Sequence, residues 1–375
     1  MAGVVYILAI LAVGVASGGR TNNLLVWTFS FLLSGLLMSG IVSGMMMMPL
    51  RVMRIAPRRG QVGEPLLIRY EILNRSRWMP AYDLRAGERV DARAPALDLA
   101  GPAWILHIGP GERLHAEAVY RPLRRGPVRL REFEVTSSFP FGLMMKVLRF
   151  TQPGEVLIQP EIRSLRQDLL ARVTAGGFGG HRLSNHGGGA DDFFGVRDYR
   201  AGDSVRTIAW KRLAGTGRLA TIERSRSVPP RVRVLVDLRT PTARLRTVEG
   251  EDARMLEERA IVLAASFLSL ADRLGYEYAL AVAGVEIPSV ALRRGHFHRE
   301  KLLSILAAID LDADRTPGNG LGTSEERATV IVVHPDRVDI DVAPADAWHF
   351  RARELEQLVE GAVAATERTV EGARP

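Results

Sequence analysis

The groups best placed for chemistry are crowded into residues 187–223, GGGADDFFGVRDYRAGDSVRTIAWKRLAGTGRLATIE. Four carboxylates, Asp191, Asp192, Asp198 and Asp203, lie among Arg197, Arg200 and Arg206, with Phe193, Phe194, Tyr199 and Trp210 between them. Paired carboxylates do acid–base work only when one is held protonated near neutral pH. Arginines this close do the opposite and keep each acid ionised. What the pattern suits is bidentate Arg–carboxylate pairing beside aromatic faces, which locks a poorly hydrophobic segment into one shape. No Lys-Ser or Lys-Thr follows the glycines, so the stretch is not a phosphate-binding P-loop. Gly-x-Ser-x-Gly and His-Glu-x-x-His are also missing. A structural or docking role is therefore expected first, an Asp-dependent hydrolase second.

Other candidates are weaker. His181 and His186 sit in a glycine-dominated stretch with no third ligand at helical or hairpin spacing. Met45–Met48 at the end of an apolar run reads as flexible, lipid-facing filler rather than a soft-metal site. The chain has no cysteine, which removes disulfides and thiolate metal sites.

The elements that must carry the block begin at the membrane. Residues 1–19 and 21–50 are uncharged, and ~20 apolar residues cross a ~30 Å hydrocarbon core. Residues 1–49 are read as a transmembrane helical hairpin with a polar turn at 17–23. A cleaved signal peptide followed by one anchor is the alternative, but it lacks a basic leading region. One arginine lies in the turn, whereas Arg51, Arg54, Arg58 and Arg59 follow the second helix. The positive-inside rule then puts both termini in the cytoplasm, with those arginines free to meet anionic headgroups. An inner- or plasma-membrane location follows, the lipid bilayer being engaged through residues 1–50.

From 50 to 160 the apolar period is two, in Leu66–Ile72, Leu114–Tyr120, Val128–Leu130 and Phe133–Val135, with Pro/Gly punctuation between. A small all-β sandwich is expected, with Trp78 and Trp104 as core or sheet-edge aromatics. Residues 161–190 read as a Gly-rich linker, with a short amphipathic helix at Ile162–Val173. Residues 231–375 alternate strand and helix: strands at Arg231–Asp237, Tyr278–Ala283, Ile287–Leu292 (an edge strand, because of Pro288) and Thr329–His334. Helices are expected at Glu251–Leu274, Arg299–Leu311 and Arg351–Thr366, giving a mostly parallel, Rossmann-type α/β sheet.

The order of the block, carried by Asp192, Phe193, Gly195, Arg197, Tyr199, Gly202, Asp203, Arg206, Ile208 and Trp210, closely resembles the signature of the domain-of-unknown-function fifty-eight (DUF 58) family. That resemblance implies association with a MoxR-type AAA ATPase. Where the family usually has Ala-Arg after the tryptophan, this chain has Ala214-Gly215. The later α/β region, with Asp237 at the tip of its first strand, resembles a von Willebrand A-like domain. Members of that kind hold Mg²⁺ with Asp-x-Ser-x-Ser, but here the loop is Asp237-Leu238-Arg239-Thr240-Pro241. Both serines are missing and a fixed cation takes the place of one, so the site is expected to be degenerate, with no metal and no cofactor.

Net charge is +8 and three of the basic residues are lysines, Lys146, Lys211 and Lys301. So lopsided an arginine excess can reflect genome composition rather than a ligand. Yet residues 197–233 hold ten basic and three acidic residues, nearly the whole net charge. A basic surface for an acidic partner is the sharper reading. No helix-turn-helix, RNA-recognition or zinc motif supports specific nucleic-acid binding. The expected function is a membrane-anchored cytoplasmic interaction or scaffold protein, not an enzyme, acting with a MoxR-type ATPase in assembly or maturation of an envelope or enzyme complex. A structural envelope protein without an ATPase partner is a further alternative.

Overall fold

The computed structural model describes residues 2–18, 23–89, 96–175, 183–184, 192–227, 229–316, 328–339, 341, 343–344 and 346–360. They fall into two compact units, Met1–Pro160 and Glu161–Pro375.

The first unit opens with α1 (Ala2–Gly18) and α2 (Asn23–Met47), neither of which carries a charge. They lie side by side: Tyr6 Oη donates to Leu32 O at 2.9 Å, and Gly14 faces the Phe29 ring. Helix α2 is long and apolar enough to cross a membrane, and only 6% of its most apolar window is buried. Trp27, Phe31, Leu37 and Ile41 point outward from it. Helix α1, with 17 residues, reaches about 25 Å at ~1.5 Å per residue.

Nine strands follow: β1 (Leu50–Ile55), β2 (Arg59–Gln61), β3 (Leu66–Asn74), β4 (Ala81–Glu88), β5 (Leu97–Gly101), β6 (Ala103–Ile108), β7 (Arg113–Pro122), β8 (Gly126–Ser137) and β9 (Lys146–Gln159). They form two sheets, ordered β1-β3-β7-β5 and β2-β9-β8-β4-β6. The period-two pattern sets which side chains face inward. On β3, Leu66, Ile68, Tyr70 and Ile72 are buried and alternate with more exposed neighbours. They share one core with Leu84, Phe133, Val135 and Ile158 of the other sheet.

Three expectations for this unit change. Met46 and Met47 are not lipid-facing: both are buried in the sandwich core, while Met45 and Met48 stay exposed. Arg54 cannot meet headgroups, because its guanidinium is buried against Glu88 (Nη1 to Oε2, 2.8 Å) and Tyr70 Oη donates to the same carboxylate at 2.8 Å. Inward alternation from β1 carries it there. Trp78 lies in the exposed β3–β4 turn, neither core nor sheet edge, whereas Trp104 stands on the outer face of edge strand β6 and donates to Asp83 at 3.0 Å.

The second unit contains α3 (Asp168–Ala175), β10 (Leu183–Ser184), β11 (Asp192–Asp198), α4 (Trp210–Thr216), β12 (Ala220–Ser227), β13 (Arg231–Asp237), α5 (Ala253–Arg273), β14 (Glu277–Ala283), α6 (His296–Ala308), β15 (Thr329–His334), β16 (Trp348–Arg351) and α7 (Leu355–Leu358). Strands β10, β12 and β11 form one small antiparallel sheet. A second sheet, ordered β14-β13-β15-β16, is parallel throughout. Helix α5 is capped by Asp252, whose carboxylate accepts from Arg254 N at 3.0 Å. It buries Ala260, Ile261, Ala264, Phe267 and Leu268 beside Val232, Val234 and Val236 of β13.

Here too the structure corrects the sequence. Of the segment read as linker, residues 165–173 supply Leu165, Leu169, Leu170 and Val173 to the core of this unit. Ile287–Leu292 is not a strand; it is held by single bonds such as Val290 N to Leu280 O (3.0 Å). Pro288 has no N–H to extend a ladder. Where a C-terminal helix is expected at Arg351–Thr366, the described residues hold a 3₁₀ turn at Ala352–Glu354 and the short α7. Val359 leaves it to bridge Leu165, and the remainder beyond 360 lies outside the described residues.

Candidate functional site

The signature folds as a hairpin with a small helical insertion. Strands β11 and β12 pair antiparallel, with a bulge between Phe193 and Gly195, and Arg197 sits opposite Thr221. The connection turns at Arg200–Asp203, where Asp203 N donates to Arg200 O at 3.0 Å and Gly202 takes φ +108°. A 3₁₀ turn at Val205–Thr207, capped by Ser204, leads into α4.

Asp203 is the hub. Arg197 donates to both its oxygens (Nη1 to Oδ2 2.8 Å, Nη2 to Oδ1 2.7 Å). Arg200 N and Thr221 Oγ1 each donate to Oδ2 at 3.0 Å. Three of these four bonds fall on Oδ2, which they saturate, and one on Oδ1. The Arg197 bonds first, then the Arg200 N–H and the Thr221 hydroxyl, hold Asp203 well below the usual carboxylate range. Behind this hub Ile208, Ala209, Ala220 and Thr221 are buried, and Tyr199 N donates to Leu219 O at 3.1 Å.

The outer face is different. Trp210, the first residue of α4, is 56% exposed and Val205 64%. Arg200, Arg206, Lys211, Arg212 and Arg218 are exposed on the same short segment. So of the ten signature residues, Arg197, Gly202 and Asp203 build the turn and Ile208 packs beneath it. Tyr199 is half-buried, and Arg206 and Trp210 face solvent. Asp192, Phe193 and Gly195 belong to β11, and their side chains lie outside what the structure describes, as do Asp191, His181 and His186. Thr221 was not singled out in the sequence. Its contact comes from hairpin register, which a motif ending at Trp210 does not contain.

A second polar cluster occupies the carboxyl-terminal edge of the parallel sheet. Register pairs Val236 with Val333, so the next residues, Asp237 and His334, are neighbours at the ends of β13 and β15. His334 Nδ1 lies 3.1 Å from Asp237 Oδ2, and His334 Nε2 lies 2.9 Å from His349 Nδ1. Arg239 Nε donates to Asp237 Oδ1 at 2.9 Å, and its Nη2 reaches Asp339 Oδ2 at 2.8 Å. Burial alone would raise Asp237; the bonds from His334 and Arg239 outweigh it and hold the carboxyl at about 2. For His349, burial and the neighbouring His334 lower the pKa against the opposing pull of Asp237 and Asp339.

The donor set here does not suit a divalent ion. Asp237 is covered by a guanidinium on both oxygens, at 2.9 and 3.3 Å, and a cation in that position repels another. Among the described residues no group of three or more His, Cys, Asp or Glu is arranged to hold a metal. The two histidines were missed in the sequence because they are 15 residues apart and meet only through parallel pairing of β15 with β16.

The hairpin hub and the parallel sheet that follows it fall within one family match. Residues 195–352 match the family described as "Protein of unknown function DUF58". The matched segment thus starts inside β11 and ends just after β16. No match was found among curated proteins. Among solved structures, the trypsin-activated alpha-2-macroglobulin from Escherichia coli is similar over 43% of this chain at 16% identity, with a TM-score of 0.22. The chain spans only 9% of that protein's length. So shallow a likeness fixes neither fold nor activity.

Proposed function

We propose that this protein is a membrane-anchored interaction protein that presents its DUF58 segment to an acidic face of a MoxR-type AAA ATPase. One observation carries the reading: Asp203 is bonded from within by four donors, two of them from Arg197, while Arg200, Arg206, Arg212 and Trp210 are turned outward. A carboxylate held ionised by four donors has no proton to give and is a weak base, so the hub shapes the surface rather than reacts. The exposed cations give complementarity and rapid encounter with an acidic partner, and an exposed tryptophan is the residue type most often found at binding hot spots.

The finer parts of the proposal rest on the same ground. Asp198 is exposed and Asp203 is arginine-bound, so the hydrolase alternative gains nothing from either. We read the α/β portion as von Willebrand A-like, used here as a rigid support with its metal loop filled by Arg239. Helices α1 and α2 are read as a hairpin that spans the membrane with both termini cytoplasmic, the exposed apolar surface of α2 being the support for this.

The test is affinity between the full-length protein and the purified ATPase, comparing wild type with Arg206→Glu/Arg212→Glu and with Trp210→Ala. Complementary charge predicts a loss of at least tenfold for the double reversal, and a steep salt dependence for wild type. Binding unchanged by all three substitutions would sink the docking surface. No binding by wild type would leave the structural envelope role.

A further inference from the structure

The β8–β9 loop does not look like the loop of a water-exposed sandwich. Residues 138–145 read SFPFGLMM, with no charge, where loops over water are normally polar. Phe141 is 60% exposed and Met145 70%, and Met144 is exposed beside them. Singly exposed apolar residues need no explanation, but a contiguous patch of this kind marks an interaction site.

The loop is packed along the apolar helices. A side chain on Gly3 of α1 would overlap the Leu143 carbonyl oxygen. A Cβ on Gly40 of α2 would lie 3.8 Å from Met144 Sδ, and one on Gly44 would lie 3.5 Å from Lys146 Nζ. Small residues at 39, 40, 43 and 44 are what allow this approach. The β3–β4 turn is tied to the same place: Arg75 N donates to Pro49 O at 3.2 Å, just past the end of α2.

Distance along α2 decides the depth. Its 25 residues extend ~37 Å at ~1.5 Å per residue, against a hydrocarbon core of ~30 Å. If the span is centred on residue 35, Gly40 lies about 7 Å from the midplane and Gly44 about 13 Å, inside a half-thickness of ~15 Å. Met144 is therefore level with acyl chain, and Lys146 is where an ammonium can snorkel to headgroups. Trp78, 67% exposed on the turn beside Pro49, is at the level of the interfacial aromatic belt, with Arg75 and Arg77 exposed next to it.

We infer that the β8–β9 loop is immersed in the bilayer against α2, so that the sandwich is seated in the lipid surface rather than held away from it. This rests on the proposed membrane anchor and adds a second lipid contact to it. Phe141, Met144 and Met145 enter the acyl region; Lys146, Arg75, Arg77 and Trp78 line the headgroups.

The lack of cysteine makes the test direct. Full-length protein is reconstituted in vesicles of phosphatidylcholine and phosphatidylglycerol, with one spin label at Met145→Cys, Phe141→Cys, Leu37→Cys or Leu106→Cys. Relaxation by oxygen, which partitions into lipid, is compared with relaxation by a water-soluble nickel chelate. Labels at Leu37, Met145 and Phe141 are expected to be relaxed mainly by oxygen, and the label on the outer face of β6 at Leu106 by nickel. If Leu37 is in lipid while both loop labels respond to nickel, the immersed loop is overturned and the anchor stands. If Leu37 itself responds to nickel, the anchor falls and the inference with it.

Discussion

Two arginine–aspartate locks within residues 195–352 use the same pair of side chains for different ends. In the hairpin, Arg197 grips Asp203 within one turn, and all the other donors come from the same hairpin. At the sheet edge, Arg239 grips Asp237, but the carboxylate also ties β13 to β15 through His334 and onward to β16 through His349. The first shapes a loop that faces solvent. The second joins three strands of the unit's largest sheet. A lock's contribution thus depends less on its own geometry than on how many separate chain segments it connects, because burial and connectivity decide what is stranded when it opens.

The largest expected effect sharpens that difference through backbone rather than charge. Gly284 follows β14 with φ +90°, and a Cβ there would overlap the Leu238 carbonyl and the Arg239 amide. Leu238 N donates to Ala283 O at 2.8 Å, so the loop carrying Arg239 is fixed against β14. Gly284→Ala should cost about 3–5 kcal/mol, combining backbone strain with a clash that no side chain can relieve. Amide exchange at β13 and β14 should accelerate by more than a hundredfold while the hairpin hub stays protected. Equal loss in both regions would mean the locks are not independent.

Removing the carboxylate comes next. Asp237→Ala deletes charged hydrogen bonds to His334 and Arg239, and is expected to cost about 3 kcal/mol, since bonds to charged groups contribute about 1.5–3 kcal/mol each. Part of that loss is moderated because Arg239 keeps Asp339 and His334 keeps His349. Asp203→Ala should instead speed exchange at residues 199–205 and leave β13 and β15 unchanged. A Asp203→Ala variant that loosens the parallel sheet would break the comparison.

Much of this was visible before any coordinates. Val234–Val236 and Val330–Val333 are continuous apolar runs, and Glu251–Leu274 is a long helical pattern with Gly275 after it. Such periodicity reports burial directly, and β13 and β15 form where the sequence places them. The Arg–Asp lock of the hairpin was legible as a kind of interaction because its members are six residues apart. What the sequence could not show depends on register and tertiary pairing. Thr221 reaches Asp203 across a hairpin, and Asp237, His334 and His349 meet only because parallel strands end level with one another. Met46 and Met47 looked like lipid-facing residues because composition alone does not tell a bilayer from a sandwich core.

Acid should separate the locks by pH. Asp237 titrates at about 2 in the folded chain, against ~3.9 when unfolded. A depressed carboxylate stabilises above the unfolded value, and that stability, about 2–3 kcal/mol, is lost as pH falls from about 4 through about 2. His349 acts earlier. Its folded pKa is lowered, so its share is present above the unfolded value of ~6.5 and declines as pH drops below it. The sheet edge should therefore begin to weaken in mild acid, whereas the hairpin hub, depending on Asp203, holds until carboxylates protonate. Histidine ring shifts followed by NMR between pH 7.5 and 5 give the order; a His349 that titrates above 6.5 would reverse it.

The smallest effect isolates conformation from contact. Gly202 also has positive φ, +108°, yet a Cβ there would meet nothing within 4 Å. Gly202→Ala therefore meets only the strain of an unfavourable backbone region, about 1–2 kcal/mol, with no clash added. Set beside Gly284→Ala, it measures what the crowded strand end contributes beyond φ itself. The expected readout is faster exchange at Asp203 and Ser204, with the Arg197–Asp203 pair reformed and partner binding reduced by less than the Arg206→Glu/Arg212→Glu reversal. Should Gly202→Ala abolish binding as fully as charge reversal, the turn's exact path, and not the cations it displays, would be what the partner reads.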